Sequence, residues 1–146
     1  MFKHALFAMA LGLSLAACAK SEPTRDTSPK AAVPEAAIRE LSVPEVATLV
    51  QTKSATVFDA NDSETRQEQG VVPGAVLLSS SREYALSELP AAKDTKLVFY
   101  CGGTACRASD KAAKRASEAG YADVSVMRAG IRGWKSAGQH TETPRS

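Results

Sequence analysis

Apolar residues in this chain fall into short clusters separated by proline, glycine and charge, and the spacing within each cluster predicts its secondary structure. Val46, Leu49 and Val50 share one face at helical spacing, and Ser42-Val43-Pro44-Glu45 ahead of them combines a capping-box pair with a first-turn proline. A helix is predicted over 43–52. Thr56-Val57-Phe58 is β-branched and aromatic and ends at Asp59, which predicts a short strand with its polar residue at the carboxyl end. The polar stretch Asn61 to Gln69 shows no apolar period and is assigned no element. Gly70-Val71-Val72-Pro73-Gly74-Ala75 forces a turn before the apolar Val76-Leu77-Leu78, and Arg82 to Leu89 predicts a second helix, closed by Pro90. Lys96-Leu97-Val98-Phe99-Tyr100 is the most apolar short run of this region and predicts a strand buried on both faces. It stops at Cys101-Gly102-Gly103-Thr104-Ala105-Cys106, and an alanine-rich helix is predicted from Arg107 to Ala119, ended by Gly120. Asp123 to Met127 predicts another strand, and Gly130-Ile131-Arg132-Gly133-Trp134 starts a last short helix. Helices alternating with short strands argue for a small α/β domain with a mostly parallel sheet.

The first residues follow a different pattern. Lys3 and His4 precede an apolar run, Ala5 to Ala17, that has the length of a signal-peptide core and is too short to span a bilayer. It ends Leu15-Ala16-Ala17-Cys18. This resembles the lipobox of bacterial lipoproteins. The resemblance implies a signal peptide over 1–17, a lipid joined to Cys18 through a thioether, and sorting to the outer rather than the inner membrane, because Ala19 and not aspartate follows. Pro23, Pro29 and Pro34 interrupt small and charged residues after it, so 18–39 is expected to be a flexible tether. The folded domain is expected over 40–140 and a disordered tail over 141–146. The expected location is the cell envelope, facing the periplasm, with the membrane touched only through the lipid anchor.

Composition bounds what that domain can be. With 44% hydrophobic and 23% charged residues in 146, the chain can close one core, which excludes a wholly disordered chain, a collagen-like repeat and a bundle of membrane spans. Lysine and arginine number 18 against 16 aspartates and glutamates, leaving no basic surplus for nucleic acid. The charges are unevenly placed: residues 40–98 hold five basic and nine acidic residues, whereas 99–140 hold seven basic and three acidic. Anion chemistry is therefore expected in the second half.

That half contains a strand, a glycine-containing loop and a helix in immediate succession. Loop and first-turn amides of such a unit converge on an anion, and ligands of open α/β sheets bind where the strands end. Cys101 falls at that point, and the amides together with Arg107 should favour its thiolate. Cys101 is thus the expected nucleophile, with Gly102, Gly103, Thr104, Ala105, Cys106 and Arg107 as the substrate cradle. His140, at the domain edge, is the domain's lone histidine, which argues against a cysteine–histidine dyad, and two thiols make a poor zinc site. No metal is expected. Cys106 reads either as a resolving thiol or as a small residue opening the helix. Asp59 reads as a structural residue at its strand end, Trp134 as core, and Lys111, Lys114 and Arg115 as an exposed helix face. Arg128 and Arg132 flank the Gly130 turn without an assigned role.

Taken together, these residues resemble the rhodanese-like family. The match rests on Val57-Phe58-Asp59, the turn from Gly70 to Ala75, Leu97 to Cys101, a helix ending Ala119-Gly120-Tyr121, and Gly130 to Trp134 with Gly138. The resemblance implies a small three-layer domain with a mostly parallel central sheet flanked by helices; a monomer without a cofactor is expected. It implies sulfur transfer: Cys101 takes the outer sulfur of a small anionic donor such as thiosulfate, holds it as a persulfide, and passes it to a thiol or cyanide. A thiol acceptor or periplasmic thiol reductant would be the partner. Asn61 and Val71 stand where many members have arginine and histidine. Arg107 stands six positions after the cysteine instead of five, the spacing of related cell-cycle phosphatases and arsenate reductases, although Gly102, Gly103 and Cys106 are unlike those loops. Three alternatives stay open: an oxyanion enzyme of that phosphatase or arsenate-reductase type, a Cys101/Cys106 dithiol–disulfide redox protein, and a non-catalytic binding module.

Overall fold

A computed structural model describes residues 37–145. The expected signal peptide, Cys18 and most of the expected tether lie outside the described residues. Within them run β1 (Arg39–Glu40), α1 (Val43–Thr52), β2 (Thr56–Asp59), α2 (Ser63–Gln69), β3 (Val76–Leu77), β4 (Leu97–Tyr100), α3 (Ala108–Glu118), β5 (Val124–Met127) and α4 (Gly130–Ser136). The strands form one parallel sheet in the order β1-β5-β4-β2-β3, so β4 is central. This is the α/β architecture expected from the alternation of elements.

Strand periodicity sorts the side chains into two cores. Val57, Val98, Tyr100 and Met127 pack with Val46, Ile131 and Trp134 on the α1–α4 face. Phe58, Leu97, Phe99, Val124 and Val126 pack with Ala112, Ala113 and Ala116 of α3 on the other. The Phe58 and Phe99 rings stack at 5.0 Å. All four β4 residues are buried, as the sequence predicts for a central strand. The alanines of α3 let the helix lie close on the sheet, and by the same alternation Cys101 joins the α3 face.

Three expectations need correction. The Arg82–Leu89 segment contains only a single 3-10 turn, Leu86–Glu88. Tyr84 and Leu89 are both buried, yet five positions apart they would lie on different sides of an α-helix. Glu88 instead ties the segment down by accepting from Ser79 and from the Ala85 N–H. The unassigned polar stretch forms α2, capped by the Asp62 carboxylate on Thr65 N–H at 2.7 Å. The domain boundaries also widen: Arg39, placed in the tether, pairs with β5, and Glu142, placed in a disordered tail, exchanges both backbone hydrogen bonds with Val71.

Candidate active site

The register of β2 and β4 sets Asp59 beside Tyr100, one residue before Cys101. Asp59 is fully buried, and its carboxylate is satisfied on every side. It accepts from Asn61 N–H at 2.7 Å, from Arg66 Nε at 3.3 Å and from the Tyr100 hydroxyl at 2.5 Å. Arg66 Nη2 also donates to the carbonyls of Asp59 and Leu78, each at 2.9 Å. The cation absent at position 61 thus arrives from α2. The Tyr100 hydroxyl accepts from Val72 N–H at 3.0 Å, and burial together with the adjacent Asp59 charge raises its pKa far above the ordinary phenol value. Asp59 is structural, as its sequence position suggests. It locks the carboxyl ends of β2, β3 and β4 together under the loop.

Cys101 sits directly beyond that lock and is 2% exposed. The hydroxyl of Ser109, itself buried in the first turn of α3, lies 3.3 Å from Cys101 Sγ. Cys101 and Cys106 are joined as a disulfide, with their Cα atoms 6.3 Å apart, a usual span for such a bridge. The sequence left this pairing open. Cys106 N–H donates to the Gly103 carbonyl at 2.9 Å, closing a turn inside the loop. The N–H groups of Gly102, Gly103, Thr104 and Ala105 donate to no acceptor among the described residues.

Helix α4 braces the loop from the other side. Ile131 N–H donates to the Cys101 carbonyl at 2.8 Å and Arg132 N–H to the Gly102 carbonyl at 3.2 Å. Such close contact requires glycine at position 130, where φ is +61° and a Cβ would lie 2.4 Å from the Cys101 oxygen. The helix is anchored by Trp134, whose Nε1 donates to the His140 carbonyl at 2.7 Å. Trp134 is core, as expected.

A cleft of about 520 Å³ opens over the loop, lined by residues 102–106 together with Asn61, Thr65, Arg132 and Ser136. Gly102, Gly103, Thr104, Ala105 and Cys106, expected as the substrate cradle, line this cleft. Arg107 does not. Its side chain is 69% exposed and its guanidinium pairs with Asp110 at 3.0 Å, outside the cleft, because residue 107 caps α3 and turns outward. The same Asp110 accepts from Arg128, which also pairs with Glu40. The cation at the cleft is Arg132, which forms no ion pair among the described residues. Asn61 Nδ2 is buried there without a partner. Sequence reasoning assigned no role to Ser109, although a hydroxyl in the first turn of the helix after a cysteine loop is a readable signal. Among the described residues, no group of three or more His, Cys, Asp or Glu could hold a metal ion.

Comparison with known proteins agrees with this fold. Residues 42–137 match the model of the rhodanese-like domain. Among solved structures, a Rhodopseudomonas palustris protein described as a possible tyrosine phosphatase is 24% identical at a TM-score of 0.59, covering 72% of this chain and 85% of its own. A thiosulfate sulfurtransferase from Pseudomonas aeruginosa is 23% identical at 0.57, covering 75% of this chain and 21% of its own. A human single-domain sulfurtransferase is 22% identical at 0.53, covering 66% and 95%. At such identities these likenesses carry the fold alone. Among curated proteins, none matches the chain.

Proposed function

Because the chain belongs to the rhodanese-like domain family, we propose that it is a sulfurtransferase that carries a sulfane sulfur on Cys101. The observation that carries this reading is the placement of Cys101. Its sulfur lies at the carboxyl end of the central strand, under a glycine loop whose amides have no other acceptor, and within reach of the Ser109 hydroxyl. In the reduced chain the Cys101 thiolate attacks the outer sulfur of thiosulfate. The donor S–S bond breaks, sulfite leaves with the electron pair, and the outer sulfur remains on Cys101 as a persulfide. Loop amides and the first turn of α3 favour the anionic sulfur at both stages. A thiol or cyanide then removes the outer sulfur.

In an oxyanion enzyme of the phosphatase or arsenate-reductase type, the arginine six positions after the cysteine would turn its fork into the cradle. Arg107 instead rests on Asp110. The test is mass spectrometry of the reduced chain after thiosulfate: a gain of one sulfur, about 32 Da, on the peptide bearing Cys101, with matching sulfite release, supports the reading. A reduced chain that neither releases sulfite nor gains sulfur overturns it.

The same proposal extends to location. We place the domain in the cell envelope, facing the periplasm and held to the outer membrane through lipid on Cys18. The apolar run ending at Ala17-Cys18 supports this reading, and no helix among the described residues is long and apolar enough to cross a membrane. Labelled palmitate entering the chain, and lost in Cys18→Ser, is the expected result.

A further inference from the structure

We infer that Cys106 resolves the Cys101 persulfide, so that the chain releases its sulfane sulfur as hydrosulfide and closes as the Cys101–Cys106 disulfide, which a dithiol reductant reopens. The inference rests on the reading of Cys101 as sulfur carrier and goes beyond it by naming the resolving thiol, the product and the co-reactant.

A persulfide offers an attacking thiol two sulfurs. Attack on the outer one moves that sulfur to the attacker, whereas attack on the inner one expels it as hydrosulfide. Cys106 Sγ is bonded to Cys101 Sγ itself, so the loop brings this thiol onto the inner sulfur without any change of fold. An external thiol lacks that tether and would have to be held against the inner sulfur from the cleft. Being five residues away, Cys106 also reacts intramolecularly, at an effective concentration no dissolved thiol matches. The bond between the Cys101 sulfur and the outer sulfur breaks, hydrosulfide leaves with the electron pair, and the Cys106 proton goes to solvent.

The difference in burial also fixes the direction of the return step. Cys106 lines the cleft and Cys101 does not. An incoming dithiol therefore attacks Cys106 Sγ and expels Cys101 as the thiolate, the leaving group that the Ser109 hydroxyl and the loop amides favour. The reductant's second thiol then displaces Cys106 and leaves as a disulfide. Over the cycle, thiosulfate and a dithiol give sulfite, hydrogen sulfide and the oxidised dithiol.

The test is a single turnover of the full chain, reduced with dithiothreitol, freed of it and given one equivalent of thiosulfate. Trypsin isolates both thiols in one peptide, Leu97–Arg107, away from Cys18. Expected are sulfite and sulfide in equal amounts and a peptide converted to the disulfide form. In Cys106→Ser the sulfide falls at least ten-fold and the peptide keeps a persulfide. Sulfite release with a stable persulfide on either cysteine of the unsubstituted chain, and no sulfide, overturns the inference while leaving the proposed function standing. Absence of both sulfite and any sulfur gain overturns both.

Discussion

Gly130→Ala separates the geometry of the loop from the stability of the fold. At position 130 a Cβ would meet the Cys101 oxygen at 2.4 Å, the Gly103 nitrogen at 2.5 Å and the Gly102 carbonyl carbon at 2.7 Å. All three are backbone atoms, so no rotamer change relieves the clash, and the helix must back away from the loop. Two contributions follow. Holding alanine in the left-handed region costs about 1–2 kcal/mol. Losing the bonds from Ile131 N–H to Cys101 and from Arg132 N–H to Gly102 costs about 0.5–1.5 kcal/mol each. The total is about 2–5 kcal/mol. Gly138→Ala isolates the first contribution, because Gly138 has φ +73° and nothing within 4 Å of its added Cβ. It should cost only about 1–2 kcal/mol. Urea unfolding followed by the fluorescence of the buried Trp134 compares the two at a common slope. Sulfite release in a single turnover should fall by about ten-fold or more in Gly130→Ala, since an ångström of misplacement is costly at a reacting atom. In Gly138→Ala it should stay within about two-fold. Equal destabilisation of the two variants, or an intact burst in Gly130→Ala, would refute the claim that α4 shapes the cradle.

Tyr100→Phe removes a donor from the Asp59 carboxylate and strands the Val72 N–H, so urea unfolding should show a loss of about 2–5 kcal/mol; a loss below about 1 kcal/mol would mean that the network does not hold the strand ends. Arg132→Ala should raise the KM for thiosulfate about five- to ten-fold, as expected for one charged contact at a wet cleft, whereas Arg107→Ala should change it less than about two-fold; steady-state kinetics giving the reverse order would restore Arg107 as the anion ligand. Burial pushes the Asp123 carboxyl up, but Lys96 and Arg39 outweigh it and hold its pKa below the ordinary value. A depressed folded pKa stabilises above the unfolded value of about 4 and is lost as pH falls through the folded one, so Asp123→Asn should cost about 0.5–1 kcal/mol at pH 7 and little near pH 2–3. Urea midpoints at both pH values check this, and an undiminished cost in acid would point to geometry instead of charge.

Legibility in the sequence followed the source of each element's stability. β4 and the cysteine loop were readable because an apolar run ending in cysteine and glycine declares a buried strand and a turn through local chemistry alone. α2 was not, since it buries no residue completely and depends on the Asp62 cap and on Arg66 reaching back to Asp59, a contact that exists only once the sheet has formed. β1 is a two-residue edge whose residues pair with partners 86 positions away and carries no periodicity of its own. The arginine misled for a related reason. Distance along the chain from Cys101 singled out Arg107, but the helix start turns that residue outward, while Arg132, remote in sequence, arrives through the α4 contact.

The unequal halves of the charge pattern acquire a different meaning from the same contacts. The basic excess of residues 99–140 suggested attraction of anions by many cations. In the fold, Arg107 and Arg128 share Asp110, Lys114 meets Glu118, and Arg115 donates to the Tyr84 carbonyl while packing on its ring. Arg132 is left as the cation of the cleft. What favours a bound anion is then mostly the loop amides, and fixed dipoles at contact distance are screened far less than surface charges lying a Debye length away. A site steered by the whole basic half would lose most of its donor affinity between low and physiological salt. One guanidinium and a ring of amides should lose only the share of a single exposed charge, and the KM for thiosulfate should rise no more than a few-fold over that range.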